Sequence, residues 1–184
     1  MIDHPVKNHA GEFRKLALLL SEGDESLSAD VALSEINPVA YVRAHAKELR
    51  RRGISKPIDG LPWIALIDGL EKKGKLIELD WKESGEMFVQ AVIKLLENEK
   101  APGQARAALN SINVQGSKKV ADILAQIDQI LAPYGYGIVL IDIYADSYPI
   151  ALVRRSSIPA ILESANRIEK RRVRNFGVNI SERQ

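Results

Sequence analysis

The run Gly137–Tyr144, GIVLIDIY, constrains this chain more than any other stretch. A strand with one wet face alternates apolar and polar side chains. Here both parities are apolar up to Asp142, so neither face can be left in water. The segment must be a central strand covered on both sides, or one held closely by flanking helices. From Tyr148, YPIALVRR reads as a further strand, and Pro149 suggests an edge position or the first residues of a strand. The intervening ADS supplies turn chemistry, because Asp and Ser side chains bond nearby backbone N–H groups. The two segments are expected to fold back on each other as a hairpin.

Most of what precedes the hairpin has helical periodicity. Phe13, Leu16, Leu19 and Leu20 share one stripe; Leu27, Val31 and Leu33 form a shorter one after the break SEGDES. NPVAYVRAHAKELRRRG is the best-punctuated helix. Asn37 caps it, Pro38 suits its first turn, Val39, Val42, Ala46 and Leu49 form its stripe, Arg50 to Arg52 complement its C-terminal dipole, and Gly53 stops it. PWIALIDGLEKKG carries a buried face of Trp63, Leu66, Ile67 and Leu70. KLIELDW then alternates Ile77, Leu79 and Trp81 with Glu78 and Asp80, which predicts a strand with one wet face. Two amphipathic helices follow, capped by Ser84 and Ser117, with a weak helix and a turn at Gly116 between them. SSIPAILESANRIEKRR closes as a capped helix, and NFGVNISERQ has too little pattern to assign.

This order predicts an α+β fold. A small mixed or antiparallel sheet, with strands near 76–81, 137–144 and 148–154, is packed by several helices behind a helical N-terminal third. The expected organisation is an N-terminal segment over 1–12, one domain over 13–171 and a C-terminal tail over 172–184. At 184 residues with 46% apolar residues, a core can form without metal or disulfide staples. The chain has no cysteine, which excludes disulfides, thiolate metal sites and cysteine nucleophiles. No leader pattern opens it and no apolar run could span a bilayer, so the expected setting is the cytoplasm, without membrane association.

Chemical signatures are sparse. There is no G-x-S-x-G elbow, no Walker-type loop and no G-x-G-x-x-G. His4, His9 and His45 lack metal-ligand spacing, and His45 reads as a partly buried helix residue. Asp142 and Asp146, joined by Asp80 if the strands are neighbours, could supply oxygens to a divalent cation. Local turn bonds explain ADS without a ligand, strand ends that meet solvent would look the same, and the turn is the preferred reading. Trp63 and Trp81 are expected to pack in the core, with an interface anchor as the lesser alternative. The net charge of +2 is uneven: residues 154–184 hold eight Lys/Arg against three Asp/Glu, concentrated in EKRRVRN. A solvated helix end explains that run better than a nucleic-acid patch.

The stretches LPWIALIDGLEKKGKLIELDWKES and DSYPIALV together resemble a family of uncharacterised bacterial proteins described only as a domain of unknown function. In that family a helical N-terminal part leads to an aromatic-containing helix, a DWK-like strand end and a late DSYPLALV-like strand. The resemblance runs from about Phe13 to about Arg171, implies one domain and transfers no activity. Its motif positions here are Asp80, Trp81, Lys82, Asp146, Ser147, Tyr148 and Pro149. With Asp142, the first six of these form the candidate functional surface; no catalytic, cofactor-binding or metal residue is assigned, and no cofactor is expected. The leading functional reading is a non-catalytic protein-binding module, immunity- or regulator-like. The alternatives are a metal-assisted enzyme using Asp80, Asp142 and Asp146, and nucleic-acid binding through the basic C-terminal helix. The balanced charge and only ten aromatic residues disfavour the last.

Overall fold

All six residues of β2 (Tyr136–Ile141) are buried. Val139 and Ile141 belong to one apolar core, whereas Tyr136, Ile138 and Leu140 belong to a second. The alternating parity of one strand thus separates two helical layers, as the apolar character of both its faces requires. The computed structural model describes residues 9–112, 114 and 119–176.

The first layer is built from α1 (Ala10–Ser21), α2 (Glu25–Ile36), α3 (Pro38–Ala44), α4 (Ala46–Arg51), α5 (Leu61–Lys72) and α9 (Ile158–Ile168). The second is built from α6 (Gly85–Asn98), α7 (Gly103–Asn110) and α8 (Val120–Leu131). Between them lies a four-stranded antiparallel sheet in the order β1-β3-β2-β4, where β1 is Leu76–Asp80, β3 is Ser147–Arg154 and β4 is Val173–Asn175. The fold is α+β with a helical N-terminal portion, as the periodicities predict. The expected hairpin is present: β2 and β3 pair from Tyr136↔Arg154 to Leu140↔Ile150. Among the described residues, no helix is long and apolar enough to cross a membrane.

Capping chemistry places the helix starts. Asp24 accepts from the Leu27 N–H at 2.8 Å, Asn37 from Ala40 at 3.0 Å and Ser84 from Met87 at 3.4 Å. Phe88, Val92, Leu95 and Leu96 of α6 and Trp63, Leu66, Ile67 and Leu70 of α5 are all buried, as their spacing predicts. The Ser117 cap and the Gly116 turn lie outside the described residues.

Several expectations need correction. The helix read across 37–53 is two helices, broken at His45 (φ −109°, ψ 25°). No Gly or Pro stands at the break, where His45 stacks on Tyr41 one turn earlier at 4.2 Å and lies 4.0 Å from Asp30 of α2. Tyr41 is buried in place of Val39, which is 58% exposed. Pro149 lies in a central strand, beside Glu78 of β1 and just beyond the last β2 pair, so only the reading of a strand's first residues holds. β2 stops at Ile141, leaving Asp142 in the connection. The last helix ends at Ile168, and EKRRVRN is a turn followed by β4, whose pairing with β2 no local pattern signals. α1 begins at Ala10, inside the expected N-terminal segment.

Candidate functional site

The β1 end and the β2–β3 connection meet at one end of the sheet. Asp80 pairs with Ser147, and the Trp81 N–H donates to the Asp146 carbonyl at 3.1 Å. Asp80 Oδ1 accepts from the Lys82 N–H at 2.9 Å, and Asp142 Oδ1 accepts from the Tyr144 N–H at 2.9 Å. Both aspartates therefore close local turns, which is why short acidic side chains suit these positions. The second oxygen of Asp142 accepts from Arg174 Nη2 at 3.3 Å, and its backbone N–H donates to the Arg172 carbonyl at 2.8 Å, tying the corner to β4.

Trp81, Asp142, Asp146, Ser147, Tyr148 and Arg174 line one pocket of about 280 Å³. Asp80 and Lys82 flank it without lining it, and Lys82 Nζ lies 5.3 Å from the Trp81 ring centroid. Trp81 corrects its expected core role: it is 53% exposed, because β1 has ended at Asp80 and no helix of the described residues covers the next position. Tyr148 packs edge-on against Phe88, centroids 5.6 Å apart. Among the described residues, no group of three His, Asp or Glu side chains is placed to hold a metal ion.

The face of β1 expected to be wet is covered only in part: Asp80 is exposed, whereas Glu78 is half-buried. Glu78 accepts from Ser147 Oγ at 2.6 Å and from Arg52 Nη2 at 2.6 Å, and Arg52 Nε donates to Asp68 at 2.6 Å. Burial pushes the Glu78 carboxyl up, but the hydrogen bonds from Arg52 and Ser147 outweigh it and hold the group below its ordinary range. For Asp68 burial wins over Arg52, with Glu78 and Glu48 nearby, and its carboxyl is raised. One guanidinium serves two carboxylates, so only one of them is fully compensated.

On the other side of the connection lies a larger cleft of about 620 Å³, which the motifs did not signal. Phe13, Trp63, Ile143 and Ile168 form apolar wall, and Phe13 meets Trp63 edge-on at 5.1 Å. Arg172 sits in this wall, only 5% exposed. Its guanidinium lies 3.8 Å from the Tyr144 ring and 5.4 Å from the Trp63 ring. Its Nε and Nη1 are buried and donate no hydrogen bond to the described residues; the Glu169 carboxylate is 3.3 Å from Nε. Tyr144 is 76% exposed, adopts a left-handed φ of 56°, and donates its hydroxyl to Glu169 at 2.5 Å. Nothing in EKRRVRN separates Arg172 from the exposed Lys170 and Arg171; its burial follows from the turn into β4.

The basic run is thus no continuous helical face. Arg167 pairs with Glu12 and Glu163, Arg174 with Asp142, and Arg172 is inside. Fold and site together define an α+β protein with two recesses flanking one hairpin connection at the sheet end. The chain belongs to the family described as Domain of unknown function (DUF6630), which matches residues 12–176. No curated protein and no solved structure matches it.

Proposed function

We propose that this chain is a non-catalytic protein-binding module, regulator- or immunity-like, acting in the bacterial cytoplasm and docking its partner at the sheet end. One observation carries this reading: the distribution of aromatic residues. Eight of the ten are buried or half-buried. The two exposed ones, Trp81 and Tyr144, stand at the same end, on the two segments joined by the Trp81–Asp146 bond. Trp and Tyr dominate the energetic centres of protein interfaces because they bury large, rigid area at little entropic cost. Lys82, Asp146 and Arg174 around them supply a polar rim of both signs.

The test is co-purification from the native host, followed by affinity measurement with the partner so found. Trp81→Ala and Tyr144→Ala should each weaken binding by about 30-fold, the effect of removing a central interface aromatic. Ile36→Ser with Val39→Ser, at the exposed α2–α3 elbow, should leave it unchanged. A partner lost on changing the elbow and retained by both aromatic variants overturns the proposal.

A further inference from the structure

We infer that the cleft beside Tyr144 is a binding site for a ligand that joins one carboxylate to an apolar body, with Arg172 as its anchor and Tyr144 as its cover. A guanidinium carries five N–H donors arranged to meet a carboxylate, and a buried one is ordinarily hydrogen-bonded. Arg172 is 5% exposed, yet among the described residues its Nε and Nη1 find no acceptor. The rings of Trp63 and Tyr144 fix the group without satisfying it, since they meet its charge rather than its N–H bonds. Glu169 is the internal substitute. It lies 3.3 Å from Nε without forming a hydrogen bond, and its other oxygen is taken by the Tyr144 hydroxyl.

Tyr144 shields the donors from solvent, and it is placed to move. It is exposed, held in a left-handed backbone conformation, and carried on the five-residue connection between β2 and β3. Swinging its ring off Arg172 breaks one hydrogen bond to Glu169 and opens the guanidinium to the cleft. The walls select the rest of the ligand. Phe13, Trp63, Ile143 and Ile168 suit an apolar body. Glu35, Asp59 and Glu169 also line the cleft, and their negative charge disfavours a dianion such as phosphate while admitting a single carboxylate. Glu35 already accepts from the His9 N–H at 3.1 Å. The carboxylate can come from a small free acid or from the C-terminus of a peptide, and both present the same group to Arg172.

The test is a titration of the full chain, following the Arg172 side-chain N–H resonances by NMR. The probes are benzoate, N-acetyl-alanyl-phenylalanine with a free C-terminus, its C-terminal amide, and inorganic phosphate. Saturable shifts are expected with at least one of the two carboxylates and with neither the amide nor phosphate; tighter binding of benzoate indicates a small acid, tighter binding of the peptide a chain terminus. E169Q should bind about two- to fivefold tighter, because it removes the competing counter-ion at a partly exposed pair. R172K should lose at least about tenfold, because the planar fork is gone. If R172K fails to fold, wild type and E169Q still decide. No saturable carboxylate binding in either protein overturns the inference, as does equal binding of the amide or preference for phosphate. The site goes beyond the protein-binding reading and shares only Tyr144 with it. Trp81→Ala, which is expected to weaken partner binding by about 30-fold, should leave the carboxylate titration unchanged, so the two ideas fail separately.

Discussion

Asp128 is fully buried on α8 and holds three elements at once. Oδ1 accepts from the Ile138 N–H of β2 at 2.9 Å and from Asn175 Nδ2 of β4 at 3.0 Å, and Oδ2 accepts from Arg155 Nη1 at 2.9 Å. A buried carboxylate is tolerated only with such complete satisfaction, and removing it strands its donors. Asp128→Ala should cost about 3–5 kcal/mol in urea unfolding; a cost below about 1 kcal/mol would show the network to be incidental. At this scale the sequence is nearly silent. Asp128 sits beside Ile127 in the chain and looks like any polar residue of an amphipathic helix. Arg172 has no local mark of burial, and Trp63 and Trp81 share a residue type yet end 2% and 53% exposed. Burial of a single side chain depends on what arrives from elsewhere in the chain.

Elements were far more legible, because their periodicities are local. The stripes of α5 and α6, the caps at Asn37 and Ser84, and the two-sided apolar character of β2 all read through to the structure. Where elements touch, local pattern no longer suffices. Gly69 lies inside α5, where glycine costs about 1 kcal/mol relative to Ala. Its reason is α2: a Cβ there would stand 2.1 Å from Leu27 Cδ1. Gly69→Ala is therefore expected to destabilise the wild type by up to about 2 kcal/mol, an overpacking cost of about 1–3 kcal/mol less the propensity gain of about 1 kcal/mol. In a Leu27→Ala background the same change should be neutral or stabilising. Additive costs in the two backgrounds, measured by chemical unfolding, would refute this account of the α2–α5 contact.

Across the whole molecule, charged links tie the helices to the sheet. Glu22, at the end of α1, accepts from Lys75 beside β1 at 2.7 Å and from Arg154 at the end of β3 at 3.2 Å. The hydrogen bond from Lys75 outweighs burial and holds the Glu22 carboxyl below its ordinary range. As pH falls, the unfolded chain protonates this group first, near its unperturbed value of about 4.3. Its contribution is thus complete above that pH and is lost as pH drops through the lowered folded value. Glu22→Gln should destabilise the protein at pH 7 by no more than about 1 kcal/mol, since the side chain is 41% exposed and solvent screens the pair. The gap between variant and wild type should close in unfolding curves taken below pH 4; a gap that widens there would reverse the assignment.

The sequence by itself determined the α+β class, the hairpin, the helical N-terminal portion and the need to cover both faces of β2, since each follows from periodicities and turn chemistry within a dozen residues. It also marked ADS, with Asp146, as the turn of that hairpin. Only the tertiary structure decided that β4 pairs with β2, that Glu78 meets Arg52, and that Arg172 goes inside while Trp81 stays out. Those outcomes join residues tens of positions apart, and a side chain's surroundings are fixed only when the distant segments that supply them have docked.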